Sequence, residues 1–142
     1  MVARPPRNYL ALLFEFARLQ PLPFRVTIDD GEPRTMPGTF IAIGNTPSYG
    51  GSMPICPRSE ADDGQLDRTH VVALGRARLV RLFRLLLAGR HLERPQATAT
   101  RAARVSVDAP GLVAYADGEP LGRGASTISV LPGALKMLVP QR

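Results

Sequence analysis

Apolar and polar positions follow two different periods along this chain, and each period predicts one kind of element. In residues 9–19, apolar side chains recur at three- and four-residue steps until Pro21, which predicts a short amphipathic helix. Residues 76–92 place leucines and Phe83 on one stripe and most arginines off it, which predicts a second helix. Alternating apolar and polar residues predict strands in most of the remainder: 24–29, 39–43, 70–74, 97–101, 103–108, 112–115, 121–123, 126–131 and 136–139.

These elements predict a β-rich α+β fold, a β-sandwich with two helices. A sheet packed on a sheet is the most economical way to bury so many half-apolar strands. With 142 residues, 44% of them hydrophobic, the chain suits a single domain spanning residues 1–142. No apolar run approaches the roughly 18 residues of a membrane-spanning helix. Glu15 and Arg18 interrupt the apolar N-terminal stretch, so we expect a helix there rather than a signal peptide.

The formal net charge is +6, and Lys136 is the only lysine among the basic residues, the others being arginine. Such a surface could meet nucleic acid, anionic lipid head groups or nucleotide phosphates. The arginines are spread along the sequence, and no zinc-finger or RNP-type aromatic motif accompanies them. Nucleic acid is therefore not an expected partner.

The single cysteine and the two histidines form no metal-binding or nucleophile pattern. Cys56 cannot form an internal disulfide, which fits a reducing cytosol, and we expect it to be a small buried apolar side chain. His70 and His91 lack an acidic partner at metal-ligand spacing, so we expect surface or helix-capping positions for both.

The first candidate site lies at the end of the long Pro-, Gly- and Ser-rich segment 46–65. A loop of this length in a compact domain often carries function. Its residues are Asp62-Asp63-Gly64-Gln65-Leu66-Asp67. Carboxylates on either side of a glycine turn, with a backbone carbonyl between them, can supply oxygen ligands to Mg²⁺ or Ca²⁺. A solvated Asx turn explains the same residues, and the further acidic positions of an EF-hand loop are missing.

The second candidate site is Asp117-Gly118-Glu119, directly after a predicted strand. Two carboxylates two residues apart can cooperate in acid–base chemistry if the turn directs both at one place. Asp-Gly is also a common hairpin dipeptide, and Asp30-Gly31-Glu32 repeats the tripeptide. The residues alone therefore do not separate a site from a plain turn.

A third feature combines Gly44-Asn45-Thr46 with Tyr49-Gly50-Gly51-Ser52. Glycines let backbone N–H groups approach an anion closely. Neither a Walker loop nor a G-x-G-x-x-G motif is present, so a flexible loop is the simpler interpretation of these residues alone.

In their order along the chain, these pieces resemble the C-terminal domain of the diacylglycerol kinase and sphingosine kinase superfamily, especially its bacterial soluble lipid kinases. The resemblance covers nearly the whole chain from about Tyr9 onward. It rests on Phe40-Ile41-Ala42-Ile43-Gly44-Asn45, Tyr49-Gly50-Gly51, Ile55-Cys56-Pro57, Asp63-Gly64-Gln65-Leu66-Asp67, Leu87-Ala88-Gly89-Arg90-His91, Asp117-Gly118-Glu119-Pro120, Val130-Leu131-Pro132-Gly133-Ala134-Leu135 and Val139-Pro140.

The resemblance implies an enzyme that transfers the γ-phosphoryl group of ATP to the hydroxyl of a lipid such as diacylglycerol. It implies that Glu119 is the general base and that Asp117 supports it. It further implies that a structural Mg²⁺ is held by Asp62, Asp67 and the backbone carbonyl of Gln65. The glycine-rich segment would contribute Asn45, Gly50 and Gly51 to nucleotide binding, in a cytoplasmic protein with possible peripheral contact to the membrane.

Two departures from the family pattern set the expectation for this chain. The Gly-Gly-Asp-Gly-Thr nucleotide motif is absent, and Ser52 stands where a third glycine usually follows Gly50-Gly51. We therefore expect ATP to bind mainly to an N-terminal nucleotide-binding domain that this chain lacks, supplied in trans or within a longer chain. The chain alone is then expected not to phosphorylate lipid. The alternative is a non-catalytic lipid- or protein-binding β-sandwich whose acidic turns are only turns.

Overall fold

The computed structural model describes residues 7–49, 53–136 and 138, and these residues form two α-helices, one 3₁₀ helix and eight strands. The α-helices are α1 (Arg7–Ala17) and α2 (Arg76–Leu87), and the 3₁₀ helix is His91–Glu93. The strands are β1 (Leu22–Ile28), β2 (Arg34–Gly44), β3 (Leu66–Val72), β4 (Ala97–Ala102), β5 (Arg104–Asp108), β6 (Val113–Ala116), β7 (Glu119–Arg123) and β8 (Ser126–Ser129). The predicted β-rich α+β class with two helices is confirmed.

Six strands form one antiparallel sheet in the order β4-β3-β2-β1-β5-β8. Only Ala103 separates β4 from β5 along the chain, although three strands lie between them in the sheet. The two are therefore halves of one bent strand, and the sheet curls until its β4 edge returns to β5. Asp29 stabilises this corner, because its Oδ1 accepts hydrogen bonds from the backbone N–H groups of Ala103 (2.9 Å) and Arg104 (3.1 Å). The curl places the two halves of the sheet face to face, as in a sandwich.

Each face of the curled sheet buries its own cluster of apolar side chains. The helices cover one face, where Phe16 of α1 packs against Phe40 and Phe83 with ring centroids 5.1 Å away from each. The cluster beneath the helices consists of Val71, Leu74, Leu79, Leu82 and Ala97. The other cluster consists of Phe24, Val26, Ala102, Val105, Val107 and Ala109.

Helix α2 is shorter than the apolar periodicity predicts. It ends at Leu87 because Gly89 adopts a left-handed conformation with φ +69°. The N–H of Gly89 donates to the Leu86 carbonyl (3.0 Å) and that of Arg90 to the Leu85 carbonyl (2.8 Å), which together form a Schellman cap. The predicted last turn of the helix is instead the separate 3₁₀ helix.

Strand β3 begins four residues before its predicted start at His70, so Asp67 lies within the sheet rather than in the loop. The predicted last strand, 136–139, is outside the described residues at Met137 and Val139, and Lys136 lies in no strand.

The hairpin of β6 and β7 is a separate two-stranded sheet, and every residue of β7 is exposed. None of the helices in the described part of the chain has the length and apolar character needed to cross a membrane.

Candidate functional site

Asp63 and Asp67 converge on one guanidinium group, that of Arg101 on the edge strand β4. Arg101 lies directly opposite Asp67 in the antiparallel register of β3 and β4. Its Nε is 3.5 Å from Asp67 Oδ1, and its Nη1 is 3.5 Å from Asp63 Oδ2. The carboxylate of Asp67 is almost fully buried, so it depends on this positive charge more than a surface carboxylate would.

The same guanidinium also ties the preceding loop to the sheet. Arg101 Nη2 donates a 2.8 Å hydrogen bond to the backbone carbonyl of Arg58 and lies 4.0 Å from Glu60 Oε1. One side chain on β4 thus joins β3 to two separate points of the loop before it, and it holds the acidic turn in place.

The turn itself is an Asx turn centred on Gly64. Asp63 Oδ1 accepts a 2.9 Å hydrogen bond from the backbone N–H of Gln65, and Gly64 has φ +69°, a conformation that favours glycine. A Cβ at Gly64 would lie 3.8 Å from Cγ of Pro132, so the segment after β8 passes over this turn.

Both aspartates keep a buried carboxylate oxygen without a hydrogen bond from the described residues. Oδ2 of Asp63 and Oδ2 of Asp67 are both buried and have no hydrogen-bond partner among the described residues. Buried carboxylate oxygens normally find donors or cations. Asp63 Oδ2 faces the Arg101 guanidinium at 3.5 Å, so Asp67 Oδ2 is the oxygen that is left open to a hard divalent ion. No cluster of three or more His, Cys, Asp or Glu side chains that could bind a metal occurs in the described ranges, so backbone oxygens would have to complete the shell.

Of the predicted metal ligands, the structure places Asp67 in this cluster, whereas Asp62 is exposed and the contacts to Arg101 involve Asp63 instead. Gln65 contributes its N–H to the turn. The Asp63-Gly64 dipeptide was the available sequence signal for Asp63. Arg101 had no such signal, because it lies far along the chain on another strand.

A buried polar network holds the middle of the same loop in place. The Ile55 carbonyl accepts hydrogen bonds from Thr69 Oγ1 (2.9 Å) and from Nε2 of His91 (3.0 Å). Cys56 is buried beside Thr69, as predicted, and its burial raises the pKa of the thiol. The predicted surface or capping positions of His70 and His91 are wrong, since both side chains are buried.

The hairpin between β6 and β7 presents Asp117 and Glu119 to solvent. Asp117 has φ +50° and Gly118 has φ +87°, the two positive values of a type I′ turn, whose twist suits a two-residue hairpin loop. Glu119 is the first residue of β7 and lies opposite Ala116. Neither carboxylate makes a hydrogen bond or ion pair with another described residue, so both are available to a bound molecule.

The earlier copy of the tripeptide behaves differently, because its neighbour Asp29 is engaged in the β4–β5 corner. Asp30 lies 3.5 Å from Arg104, and Glu32 is an exposed residue between β1 and β2. The first copy thus lies beside the β4–β5 corner, through Asp29 and Asp30, whereas no described residue engages the carboxylates of the hairpin tip, which is left as the candidate for chemistry.

Asn45 is exposed directly after β2, at the start of the glycine-rich segment. Gly50 and Gly51, predicted with it to contact a nucleotide, lie outside the described residues.

Comparison with known proteins supplies a family match over nearly the whole chain. The family described as YegS C-terminal NAD kinase beta sandwich-like domain matches residues 2–139. A diacylglycerol kinase of Mycobacterium tuberculosis (strain CDC 1551 / Oshkosh) is 42% identical over 135 residues, which cover 95% of this chain and 44% of that protein. Sphingoid long-chain bases kinase 1 of Arabidopsis thaliana is 41% identical over 58 residues, covering 41% of this chain and 8% of that protein.

Solved structures share the fold at low sequence identity. A diacylglycerol kinase structure from Bacillus anthracis str. Sterne aligns with a TM-score of 0.61 at 16% identity, covering 87% of this chain and 44% of that one. A second structure from the same organism aligns with a TM-score of 0.64 at 22% identity, covering 89% and 44%. The chain thus spans less than half the length of each of these relatives.

Proposed function

Since the chain belongs to the family of YegS C-terminal, NAD-kinase-like β-sandwich domains, we propose that it is the C-terminal part of a diacylglycerol-kinase-like lipid kinase. Such an enzyme transfers the γ-phosphoryl group of ATP to a lipid hydroxyl, and diacylglycerol is the substrate suggested by the relatives' names. The observation that carries the proposal is the pair of exposed carboxylates, Asp117 and Glu119, on a hairpin that stands apart from the six-stranded sheet.

Glu119 is the general base in this proposal. A carboxylate that no other side chain engages can accept the proton of the lipid hydroxyl as that oxygen attacks the γ-phosphorus. Asp117 lies on the other side of Gly118 in the same tight turn and supports Glu119 by adding negative charge beside it. The type I′ turn keeps the backbones of the two residues in a defined relation, which helps to position the nucleophile.

A divalent cation, Mg²⁺ in the proposal, has its place at the acidic turn. The resemblance assigns it to Asp62, Asp67 and the Gln65 carbonyl. Because Asp62 is exposed and Asp63 lies in the cluster with Asp67, we propose Asp63 in place of Asp62. When bound, the ion would supply positive charge that neutralises these carboxylates. The chain's own contribution is the Asx turn and Arg101, which hold the two aspartates next to each other.

The nucleotide and the rest of the active site belong to a second half. We propose that an N-terminal nucleotide-binding domain, in a longer chain or in trans, binds ATP, with Asn45, Gly50 and Gly51 reaching its phosphates. Exposed apolar side chains near the hairpin and after β8 suit contact with such a domain: Tyr115, Leu121, Leu131 and Leu135. We place the assembled enzyme in the cytoplasm, touching the membrane that holds its lipid.

Reconstitution tests the proposal. The chain is mixed or co-expressed with the N-terminal half of the M. tuberculosis diacylglycerol kinase, and ³²P transfer from ATP to diacylglycerol is measured. We expect activity from the pair and none from the chain alone. Glu119→Gln should lower the rate of the pair by at least about 100-fold, since a carboxamide cannot accept the proton.

Glu32→Gln is the matched control, because Glu32 occupies the same place in the first Asp-Gly-Glu copy and should leave the rate unchanged. Phosphorylation of diacylglycerol by the chain alone would contradict the proposal that a second half is needed to bind ATP. Equal rates for wild type and Glu119→Gln would remove the catalytic assignment and favour the alternative, a non-catalytic module that binds a lipid or protein through its exposed apolar side chains.

A further inference from the structure

Strand β3 buries an arginine that has no counter-charge. Arg68 is only 4% exposed, and no described carboxylate lies within 4.0 Å of its guanidinium group. By contrast, the exposed Arg90, Arg101 and Arg104 each pair with at least one carboxylate. Removing a cation from water is unfavourable, and a partner of opposite charge normally offsets this effect. The described part of the chain contains no such partner for Arg68.

The hydrogen bonds of Arg68 go to neutral groups instead. Thr100 Oγ1 accepts from Nε (3.1 Å) and from Nη2 (2.6 Å), and the thioether sulfur of Met36 accepts from Nη1 (3.4 Å). A thioether is a weak acceptor, whereas a guanidinium group forms its strongest hydrogen bonds with anionic oxygens. Burial lowers the pKa of Arg68, and no carboxylate counteracts this effect. The sulfur of Met36 therefore occupies a position beside Nη1 where an anion would bind more strongly.

Met36 also connects the guanidinium group to a cavity. A cavity of about 200 Å³ lies beside β1 and β2, and its apolar walls are formed by Val26, Ile28 and Met36. Glu32 and Arg34, which are both exposed, contribute to the lining, so the cavity opens to solvent next to one negative and one positive charge. A molecule in this cavity would touch apolar side chains and would lie against the residue that contacts Arg68.

The cavity and Arg68 share one face of the sheet, the face opposite the helices. Val26 belongs to the buried cluster on this face, and Met36 packs against that cluster. The side chain of Met36 is unbranched and flexible, so it can move aside for a ligand more easily than a branched side chain could. An elongated ligand can thus reach from the cavity to the guanidinium group along a single face.

We propose that Arg68 and this cavity bind a medium-chain aliphatic carboxylate, whose carboxylate group replaces the Met36 sulfur at the guanidinium and whose tail fills the cavity. A methylene group needs roughly the 30 Å³ of a water molecule, so about 200 Å³ accommodates a tail of roughly seven carbon atoms. A carboxylate carries one charge, which matches the single buried arginine of the described residues, whereas a phosphate would add a second. Binding requires no turnover, so the site stands or fails separately from the kinase assignment.

Isothermal titration calorimetry with sodium octanoate tests the site in the 142-residue chain. We expect one octanoate per chain with a Kd of about 1 mM or lower. Octan-1-ol lacks the charge and acetate lacks the tail, so each should bind at least about tenfold more weakly. Octan-1-ol binding as tightly as octanoate would overturn the proposal in favour of a purely apolar cavity. Displacement of octanoate by an equal concentration of inorganic phosphate would overturn it in favour of a general anion site.

Arg68→Met removes the charge and keeps a side chain of similar length. It should weaken octanoate binding at least about tenfold, since a charge-assisted hydrogen bond is lost. Arg25→Met is the matched control and should keep the affinity within about twofold of wild type, because Arg25 is exposed and alternates with Val26 on β1, which places it on the other face.

A second variant tests the cavity without changing the arginine. Ile28→Phe adds volume to the cavity wall and should weaken octanoate binding about tenfold, so the site is tested even if Arg68→Met does not fold. Circular dichroism checks that each variant is folded. Wild-type octanoate affinity in a folded Arg68→Met, or in a folded Ile28→Phe, would overturn the proposal.

Discussion

At the scale of single residues, the buried oxygens of Asp63 and Asp67 favour Asp63 over Asp62 as a ligand of the proposed cation. Both Oδ2 atoms lack a hydrogen-bond partner in the described ranges, whereas Asp62 is exposed. A cation that binds only the folded state stabilises it, by about 1.4 kcal/mol at ten times its dissociation constant. Ten millimolar MgCl₂ should therefore raise the melting temperature of the wild-type chain by a few degrees over NaCl of equal ionic strength.

Asp63→Asn should abolish this Mg²⁺-dependent rise, while its amide oxygen can still accept the Gln65 N–H that closes the turn. Asp62→Asn is the control and should keep the rise, since the structure gives that side chain no place in the cluster. The reverse result, loss with Asp62→Asn alone, would restore Asp62 as the ligand and exclude Asp63. Differential scanning calorimetry with and without EDTA provides the measurement.

At the scale of elements, strand β3 buries the positively charged side chain of Arg68 close to the histidine His70. Burial, and after it the positive charge of Arg68, lowers the pKa of His70 below 6.5. Burial also lowers the pKa of His91. Below about pH 6.5 the unfolded chain therefore binds more protons than the folded one. For these two histidines, the free energy of unfolding is higher above that pH and decreases as the pH falls below it. Urea unfolding should give a smaller free energy at pH 5 than at pH 7.5.

Arg68→Met separates the two causes. Methionine removes the charge and keeps an apolar side chain of similar length, so the pKa of His70 should rise, as followed by its ring proton shifts in NMR spectra. His91 is the internal control, because its pKa is lowered without a contribution from Arg68. An unchanged His70 titration in Arg68→Met would mean that burial alone sets the pKa.

Strands β5 and β3 show where sequence patterns predict this fold correctly and where they fail. Strand β5 was predicted because Val105 and Val107 alternate with polar residues, and both are buried. The first half of β3 was missed because Asp67, Arg68 and Thr69 are polar, and polar residues normally occupy an exposed face. Their burial is stabilised by partners on other elements, such as Thr100 for Arg68, whose Nη2 donates a 2.6 Å hydrogen bond to its Oγ1. No local pattern contains such pairings.

The features of the candidate site likewise divide into those that the sequence predicts and those that only the fold determines. The carboxylates of both acidic turns were visible in the sequence, because Asp-Gly dipeptides indicate tight turns. Sequence could not decide between the two Asp-Gly-Glu copies, since the difference arises from the β4–β5 corner that engages Asp29. The pairing of Asp63 with Arg101 likewise depends on the register of β3 and β4.

At the scale of the whole molecule, large apolar side chains remain exposed at one hairpin and one terminal segment. Tyr115 is 63% and Leu131 is 74% exposed, and a two-stranded hairpin such as β6–β7 is only marginally stable without further packing. The chain spans 44% of the length of its M. tuberculosis relative. In the lipid kinase that we propose, this exposed apolar surface suits an interface with the second half.

Tyr115→Ala and Leu131→Ala should therefore weaken association with the N-terminal half of the M. tuberculosis diacylglycerol kinase by about tenfold each, as truncation of interface anchors does. Both side chains are exposed in the isolated chain, so its own unfolding free energy should change by less than about 0.5 kcal/mol. Phe14→Ala is the matched control, being equally exposed but on α1, and should leave the affinity intact. Isothermal titration calorimetry compares the three variants. If Phe14→Ala weakened association as much as the other two, the contact would lie on the helical layer, and the hairpin would lose its role as the surface that the second half covers.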